Sequence, residues 1–196
     1  MDKRKKKAVN RFDNLLKSNI SRKNLVLLER EFDSGAADLY GFLLRVTEGF
    51  ILVHEFDDFE LNGYAIIRQD QFESIRSNKN DRARRKIMNR EGTLEIDLGI
   101  PYEVVLDSWA SIFTSLKAQQ LSVIIECEDK KNAAFTIGPI VAVNKKSVSI
   151  RHFDAAGILA ETPTKILYRD ITIIRFDDRY TNVYSKYLRE KKSKKS

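Results

Sequence analysis

The chain has 196 residues, of which 42% are apolar and 32% are charged, a composition typical of a globular protein. No apolar run reaches the roughly 18 residues that a membrane helix needs, and the single cysteine, Cys127, excludes an intramolecular disulfide. The net charge is +7, but residues 1–7 and 189–196 contribute +4 each, which leaves −1 for the body of the chain. The basic N-terminus lacks the apolar stretch of a secretory signal, so we expect a cytoplasmic protein.

The first half of the chain predicts a helix followed by five strands. Phe12, Leu15 and Leu16 have the i, i+3, i+4 spacing of one helical face, which predicts an amphipathic helix over about 6–19. Alternating apolar residues and turn signals then predict strands. Their bounds are about 25–31, 40–46, 50–56, 59–68 and 71–76. A basic helix over about 80–90 follows and ends at Gly92.

The second half repeats this order. Residues 93–102 cross to a helix over about 103–117, which carries Trp109, Ile112 and Phe113 on one face. Five strands are predicted at about 121–128, 135–143, 147–153, 158–168 and 170–176. A last helix has an apolar stripe of Tyr180, Val183, Tyr184, Tyr187 and Leu188. Such a stripe favours packing against the core.

The two halves are similar in sequence. A shift of 97 residues aligns Gly41 with Gly138 and Phe56 with Phe153, and beyond Asp57 a shift of 99 aligns Arg76 with Arg175. An internal repeat usually marks a repeated structural unit. We therefore predict a mainly β protein with short helices, of the α+β class. It would consist of two tandem helix-plus-five-strand small barrels, over 1–92 and 93–196, each closed or nearly closed so that exposed strand edges are removed.

A helix followed by five strongly bent strands resembles the Sm-like and SH3-like small barrels, and two such units would cover nearly the whole chain. The segments 59–81 and 168–180 are also similar to uncharacterised bacterial proteins. Sm-like proteins commonly form rings and bind RNA through an Asp and an Asn beside a loop and an Arg-Gly pair near the fourth strand. Here Ser77 and Phe176 stand where that glycine would be. The resemblance thus implies the fold, while the RNA-contacting residues differ.

The residue pattern argues against an enzyme. The chain lacks the glycine-rich phosphate-binding motifs and a cysteine–histidine cluster, so we expect no cofactor and no metal. The paired carboxylates Glu29 and Glu31, and Glu126 and Glu128, recur in both halves, which favours a solvated strand face over an acid–base pair. Cys127 has no histidine near it in sequence and is interpreted as a structural thiol.

Two binding functions remain open. The nearly neutral body favours a protein-interaction module, such as an adaptor or an immunity-type inhibitor, whose partner protein the sequence does not identify. The alternative is an RNA- or DNA-binding protein that acts through its basic ends and the basic helix. The candidate contacts to nucleic acid are Lys5, Lys6, Arg82, Arg84, Arg85, Lys191 and Lys192.

Overall fold

The computed structural model describes residues 3–32, 35–94, 100–129 and 134–191 and, within the first helix, the side chains from residue 12 onward. Its helices are α1 (Lys3–Ser21), α2 (Lys79–Glu91), α3 (Trp109–Ala118) and α4 (Arg179–Ser185). Short 3-10 turns cover Gln69–Gln71 and Tyr168–Asp170. In the part of the chain that the structure describes, no helix combines the length and the apolar character needed to cross a membrane.

Fourteen strands are present in the described residues. In the first half they are β1 (Leu25–Glu29), β2 (Glu31–Phe32), β3 (Gly35–Ala36), β4 (Leu39–Val46), β5 (Phe50–Asp57), β6 (Glu60–Arg68) and β7 (Ser74–Arg76). In the second half they are β8 (Ser122–Cys127), β9 (Ala134–Val143), β10 (Ser147–Ile150), β11 (Ile158–Leu159), β12 (Thr164–Leu167), β13 (Ile173–Phe176) and β14 (Arg189–Glu190). The protein is thus mainly β with four helices among the described residues, which confirms the predicted class.

The prediction of closed barrels is wrong. Ten of the strands form one sheet in the order β12–β10–β9–β8–β13–β6–β5–β4–β1–β7. The sheet is continuous because β13 pairs with β8 on one side and with β6 on the other, with Ile173 opposite Ile67 and Phe176 opposite Tyr64. We call this β6–β13 junction the seam. Strands β7 and β12 are left as the two edges.

The strand order is the same on both sides of the seam. The first half reads β7–β1–β4–β5–β6, and the second reads β13–β8–β9–β10–β12, so each half places its last strand beside its first. Two connections also match in detail. The amide of Gln69 donates to the carbonyl of Gly49 at 2.9 Å, and that of Tyr168 donates to Lys146 at 3.1 Å. These are the pairs that the shifts of 97 and 99 residues align.

In each half, one glycine permits two strands to cross closely. A Cβ at Gly41 would overlap the carbonyl oxygen of His54, and a Cβ at Gly138, which has a φ of +149°, would overlap that of Arg151. Both contacts join a β4 or β9 residue to the strand or turn that follows it. A side chain at either position would force the backbones apart, which is why glycine occupies both.

Helix α3 of the second half covers one face of the sheet near the seam. Trp109 is 7% exposed, and its ring meets Phe50 of β5 edge to face at 4.8 Å. The segment before α3 also crosses to the first half, where Arg45 donates to the carbonyl of Val104 at 2.9 Å. One apolar cluster therefore includes residues of both halves, and the two halves share a core.

The helix bounds differ from the predicted ones at both ends of the second half. Helix α3 begins at Trp109 because Ser108 caps it, accepting from the amide of Ser111 at 3.1 Å. The final helix ends at Ser185, before the predicted Tyr187 and Leu188. The chain then extends into β14, which pairs with β11 in parallel.

Candidate binding surfaces

A buried ion pair lies beside the seam. Arg30 follows β1 on its core-facing side and is 1% exposed. Its Nη2 donates to Glu128 Oε2 at 2.5 Å and to the carbonyl of Thr172 at 3.3 Å, and its Nη1 donates to the carbonyl of Ala37 at 3.2 Å. The guanidinium also stacks over Phe32, 5.0 Å from the ring centre. Arg30 thus ties the first half to the second, and burial lowers its pKa.

A second ion pair spans the seam itself. Arg175 of β13 donates from Nε to Glu55 Oε1 of the first half at 3.0 Å, and from Nη1 to Glu126 of its own half. Burial raises the pKa of Glu55, against the opposing effect of Arg175. The predicted solvated face at Glu126 and Glu128 is therefore wrong, because both carboxylates are largely covered and neutralise arginines.

His54 of β5 lies beside these groups. Its ring stacks on Tyr64 with centres 4.4 Å apart, and its buried Nδ1 has no hydrogen-bond partner among the described residues. Burial lowers the pKa of His54 to about 4, although the charge of Asp177 acts in the opposite direction. The imidazole is therefore neutral near pH 7.

His54 should make folding stability depend on pH. Because its folded pKa lies below the unfolded value of 6.5, its contribution is fully present above pH 6.5 and is lost as the pH falls toward 4. We expect a loss of about 1–2 kcal/mol, less than the full shift because the ring is partly solvated. Urea unfolding of the protein and of His54→Gln at pH 7, 5.5 and 4.5 measures it. Glu55 contributes to stability with the opposite pH dependence, but it is present in both proteins, so the difference between them isolates His54. If the free energies of unfolding of the two proteins change in parallel with pH, the prediction is contradicted.

Two of the three named arginines of α2 serve the fold. Arg84 donates to the hydroxyl of Tyr40 at 3.1 Å, and Arg85 donates to the carbonyl of Arg22 at 3.0 Å at the end of α1. Such a bond satisfies a carbonyl that the helix leaves without a donor. Arg82 remains exposed. The predicted nucleic-acid contacts at Arg84 and Arg85 are therefore at least partly engaged within the protein.

Besides Lys79 at its start, α2 has three exposed cations at i, i+4, i+8 spacing, which are Arg82, Lys86 and Arg90. None of the three has an ion-pair partner among the described residues. Because these side chains are exposed, the row is a cationic strip on the surface. Like charges at this spacing repel one another and weaken a helix slightly.

The other predicted contacts lie elsewhere. Lys5 and Lys6 are in α1, roughly 25 Å along that helix from Arg22, at 1.5 Å per residue, and their side chains lie outside the described part. Lys191 is exposed and pairs with Glu161 of the second half at 3.0 Å. Lys192 lies outside the described residues. Of the predicted basic residues whose side chains the structure describes, Arg82, Arg84 and Arg85 therefore lie in α2 of the first half and Lys191 lies in the second half.

Three residues of the predicted aromatic stripe face outward, so the prediction that the stripe packs on the core holds for Tyr184 and is wrong for these three. Tyr180 is 50% exposed, Val183 46% and Tyr187 70%. Tyr184 is half-buried, stacking on Phe153 at 5.0 Å and lying 4.6 Å from the ring of Tyr180. We call these four residues the tyrosine surface. The helix contacts the sheet through small polar residues instead, with Ser185 Oγ 3.0 Å from that of Ser122.

Two clefts in the described part of the molecule are lined by charged and aromatic side chains. A cleft of about 540 Å³ lies between the halves and is lined by Trp109, Lys145 and Tyr168 among others, with acidic and basic side chains mixed. Another of about 380 Å³ is mainly acidic. Within the described ranges, no three His, Cys, Asp or Glu side chains come together as metal ligands would. Cys127 is buried in the shared core.

Comparison with protein-family models, with curated proteins and with solved structures finds no match.

Proposed function

We propose that this protein is a non-catalytic adaptor that binds a partner protein through the tyrosine surface. The observation that supports this most directly is the exposure of Tyr180 and Val183 on α4 and of Tyr187 just beyond its end. Tyrosine is enriched in protein interfaces because it buries a large apolar ring while its hydroxyl still forms hydrogen bonds. The partner would offer an apolar patch with acceptor groups at its rim, since Arg179 and Lys186 flank these residues.

The two halves would then be diverged copies of one five-stranded unit of Sm-like or SH3-like plan, over 1–92 and 93–196. The equal strand order, the matching turn hydrogen bonds and the equivalent glycine contacts support this. In such a repeat, α2 and α4 occupy equivalent places after the last strand. One has become cationic and the other aromatic, so divergence would have given each half its own surface.

Nucleic-acid binding is the second candidate, and the exposed row of Arg82, Lys86 and Arg90 favours it. Three exposed cations on one helical face suit a phosphate backbone. Against this, Arg84 and Arg85 are engaged in the fold, and the body carries little net charge.

The tyrosine surface should be important for binding and unimportant for stability. We expect Tyr187→Ala to change the free energy of unfolding by less than about 0.5 kcal/mol, as exposed substitutions do, while weakening partner binding by about 2 kcal/mol or more. A photo-crosslinking residue at Tyr187 would capture the partner in cells of the organism of origin. The exposed Phe135 of β9 provides a matched control position.

The captured protein is then purified and titrated against the unmodified chain, Tyr187→Ala and Phe135→Ala. Equal affinity for all three would contradict the proposal. The same proteins are titrated with labelled RNA and DNA at two salt concentrations. Tight and sequence-selective binding that Arg82→Glu with Lys86→Glu abolishes would place the nucleic-acid candidate first.

A further inference from the structure

The helices α1 and α3 occupy equivalent places, but their outer faces differ in burial. In α3, Trp109 is 7% exposed and meets Phe50 of the first half, and Ile112 is fully buried in the apolar cluster that the two halves share. The equivalent residues of α1 under the shift of 97 are Phe12 and Leu15. They are 39% and 43% exposed. The same apolar positions are therefore covered in one half and open in the other.

The strand beside α1 is open as well. Strand β13 pairs on both sides, with β8 and with β6, whereas its equivalent β7 pairs with β1 and ends the sheet. An edge strand presents unpaired backbone donors and acceptors that can receive another strand. Phe72, just before β7, touches Phe12 edge to face at 5.7 Å. The β7 edge and the exposed face of Phe12 and Leu15 thus form one surface, which we call the α1–β7 end.

We propose that the α1–β7 end binds the sheet edge of another protein, in the way that the second half binds β6 at the seam. The chain itself defines what fits. At the seam, the strand opposite β13 is antiparallel and places Tyr64 and Ile66 toward the helix side. The neighbouring strand β5 supplies Glu55 to Arg175. The partner would therefore present a strand with two alternate apolar residues and a carboxylate within reach of Arg76. That arginine is 36% exposed and already pairs with the buried Asp81 at 3.0 Å, so it would hold two carboxylates, as Arg175 does at the seam.

A second copy of this chain does not meet these requirements. At the other end of the sheet, the positions equivalent to Tyr64 and Ile66 are Pro163 and Lys165, both exposed. Proline and lysine are residues with which proteins block an edge against pairing. The position equivalent to Glu55 is His152, which offers no carboxylate. The occupant is therefore a different protein, and the chain alone should be monomeric.

An engineered donor chain tests the surface without knowledge of the natural partner. The donor carries Pro163→Tyr, Lys165→Ile and His152→Glu, which copy the seam, and Phe12→Asp with Leu15→Asp, which block its own α1–β7 end. We expect it to form a 1:1 complex with the unmodified chain in size-exclusion chromatography with light scattering. Hydrogen exchange at residues 74–76 of the unmodified chain should slow in the complex.

Matched receptor variants locate the contact. Leu15→Asp in the receptor should weaken the complex about tenfold or more, whereas Val141→Asp, at a 41%-exposed site on β9, should leave it unchanged. A donor with Lys165→Ile alone replaces the triple change if circular dichroism shows that the triple change unfolds the chain.

Three results would overturn the proposal: a folded donor that does not bind, binding that is indifferent to Leu15→Asp, or self-association of the unmodified chain through this end. Tyr187→Asp should leave donor binding intact, so failure here is distinguishable from failure of the proposed tyrosine surface.

Discussion

Arg30→Ala is expected to lower the free energy of unfolding by about 3–5 kcal/mol, the range for removing one partner of a buried ion pair. The guanidinium is buried and joins Glu128 of the second half, besides the carbonyls of Ala37 and Thr172. The substitution leaves these buried acceptors without a strong donor and adds the cost of a cavity beneath Phe32.

A double-mutant cycle separates the charge from the packing. Arg30→Met keeps most of the side-chain volume, and Arg30→Met with Glu128→Leu removes both charges. We expect Arg30→Met to be strongly destabilising and the double substitution to recover most of the loss, because a buried pair can be replaced by apolar residues at little cost. Urea unfolding of the four proteins measures the coupling. A loss below about 1 kcal/mol in Arg30→Ala would mean that the pair is solvated.

The position of Arg30 shows what the alternation of apolar residues in the sequence can and cannot predict. Val26, Leu28 and Arg30 lie on one strand face by period two, and the first two are fully buried. The pattern thus places Arg30 at the core side. It does not identify the carboxylate that neutralises it, since Glu128 lies 98 residues away and comes near through strand pairing at the seam. Local periodicity predicts faces, whereas long-range charge pairing needs the topology.

The continuous sheet was also outside the prediction, although one signal for it is present. Residues 63–67 are all buried, and so are residues 171–174. A run that is apolar on both strand faces is typical of a strand covered on both sides. A strand of a small closed barrel can have one face exposed to solvent. Read in that way, the runs around Ile66 and Ile174 would have predicted an interior strand in each half.

The aromatic stripe of α4 illustrates the opposite error. Its spacing indicates one apolar helical face, but an apolar face can be covered by the core or by a partner, and spacing does not distinguish them. The deciding residues are Thr181 and Ser185, which are small enough to let α4 lie on the sheet with its tyrosines outward.

Phe176→Ala is expected to be as costly as the loss of Arg30, about 3–5 kcal/mol, the range for truncating a buried phenylalanine. Phe176 is fully buried in β13, stacks on Tyr64 of β6 with centres 5.4 Å apart, and meets Tyr102 at 6.4 Å. It therefore contacts the first half, its own half and the segment between them. Its removal opens a cavity at the one junction that makes the sheet continuous.

Because the core is shared, the protein should unfold in a single transition, and Phe176→Ala should move that whole transition. Thermal unfolding followed by circular dichroism and by the fluorescence of Trp109, which lies at the seam, gives two probes that should agree. Val183→Ala, at a 46%-exposed position, is the control and should cost less than about 0.5 kcal/mol. Two separate transitions, with the variant shifting one of them, would show that each half is stable by itself and that the seam contributes little.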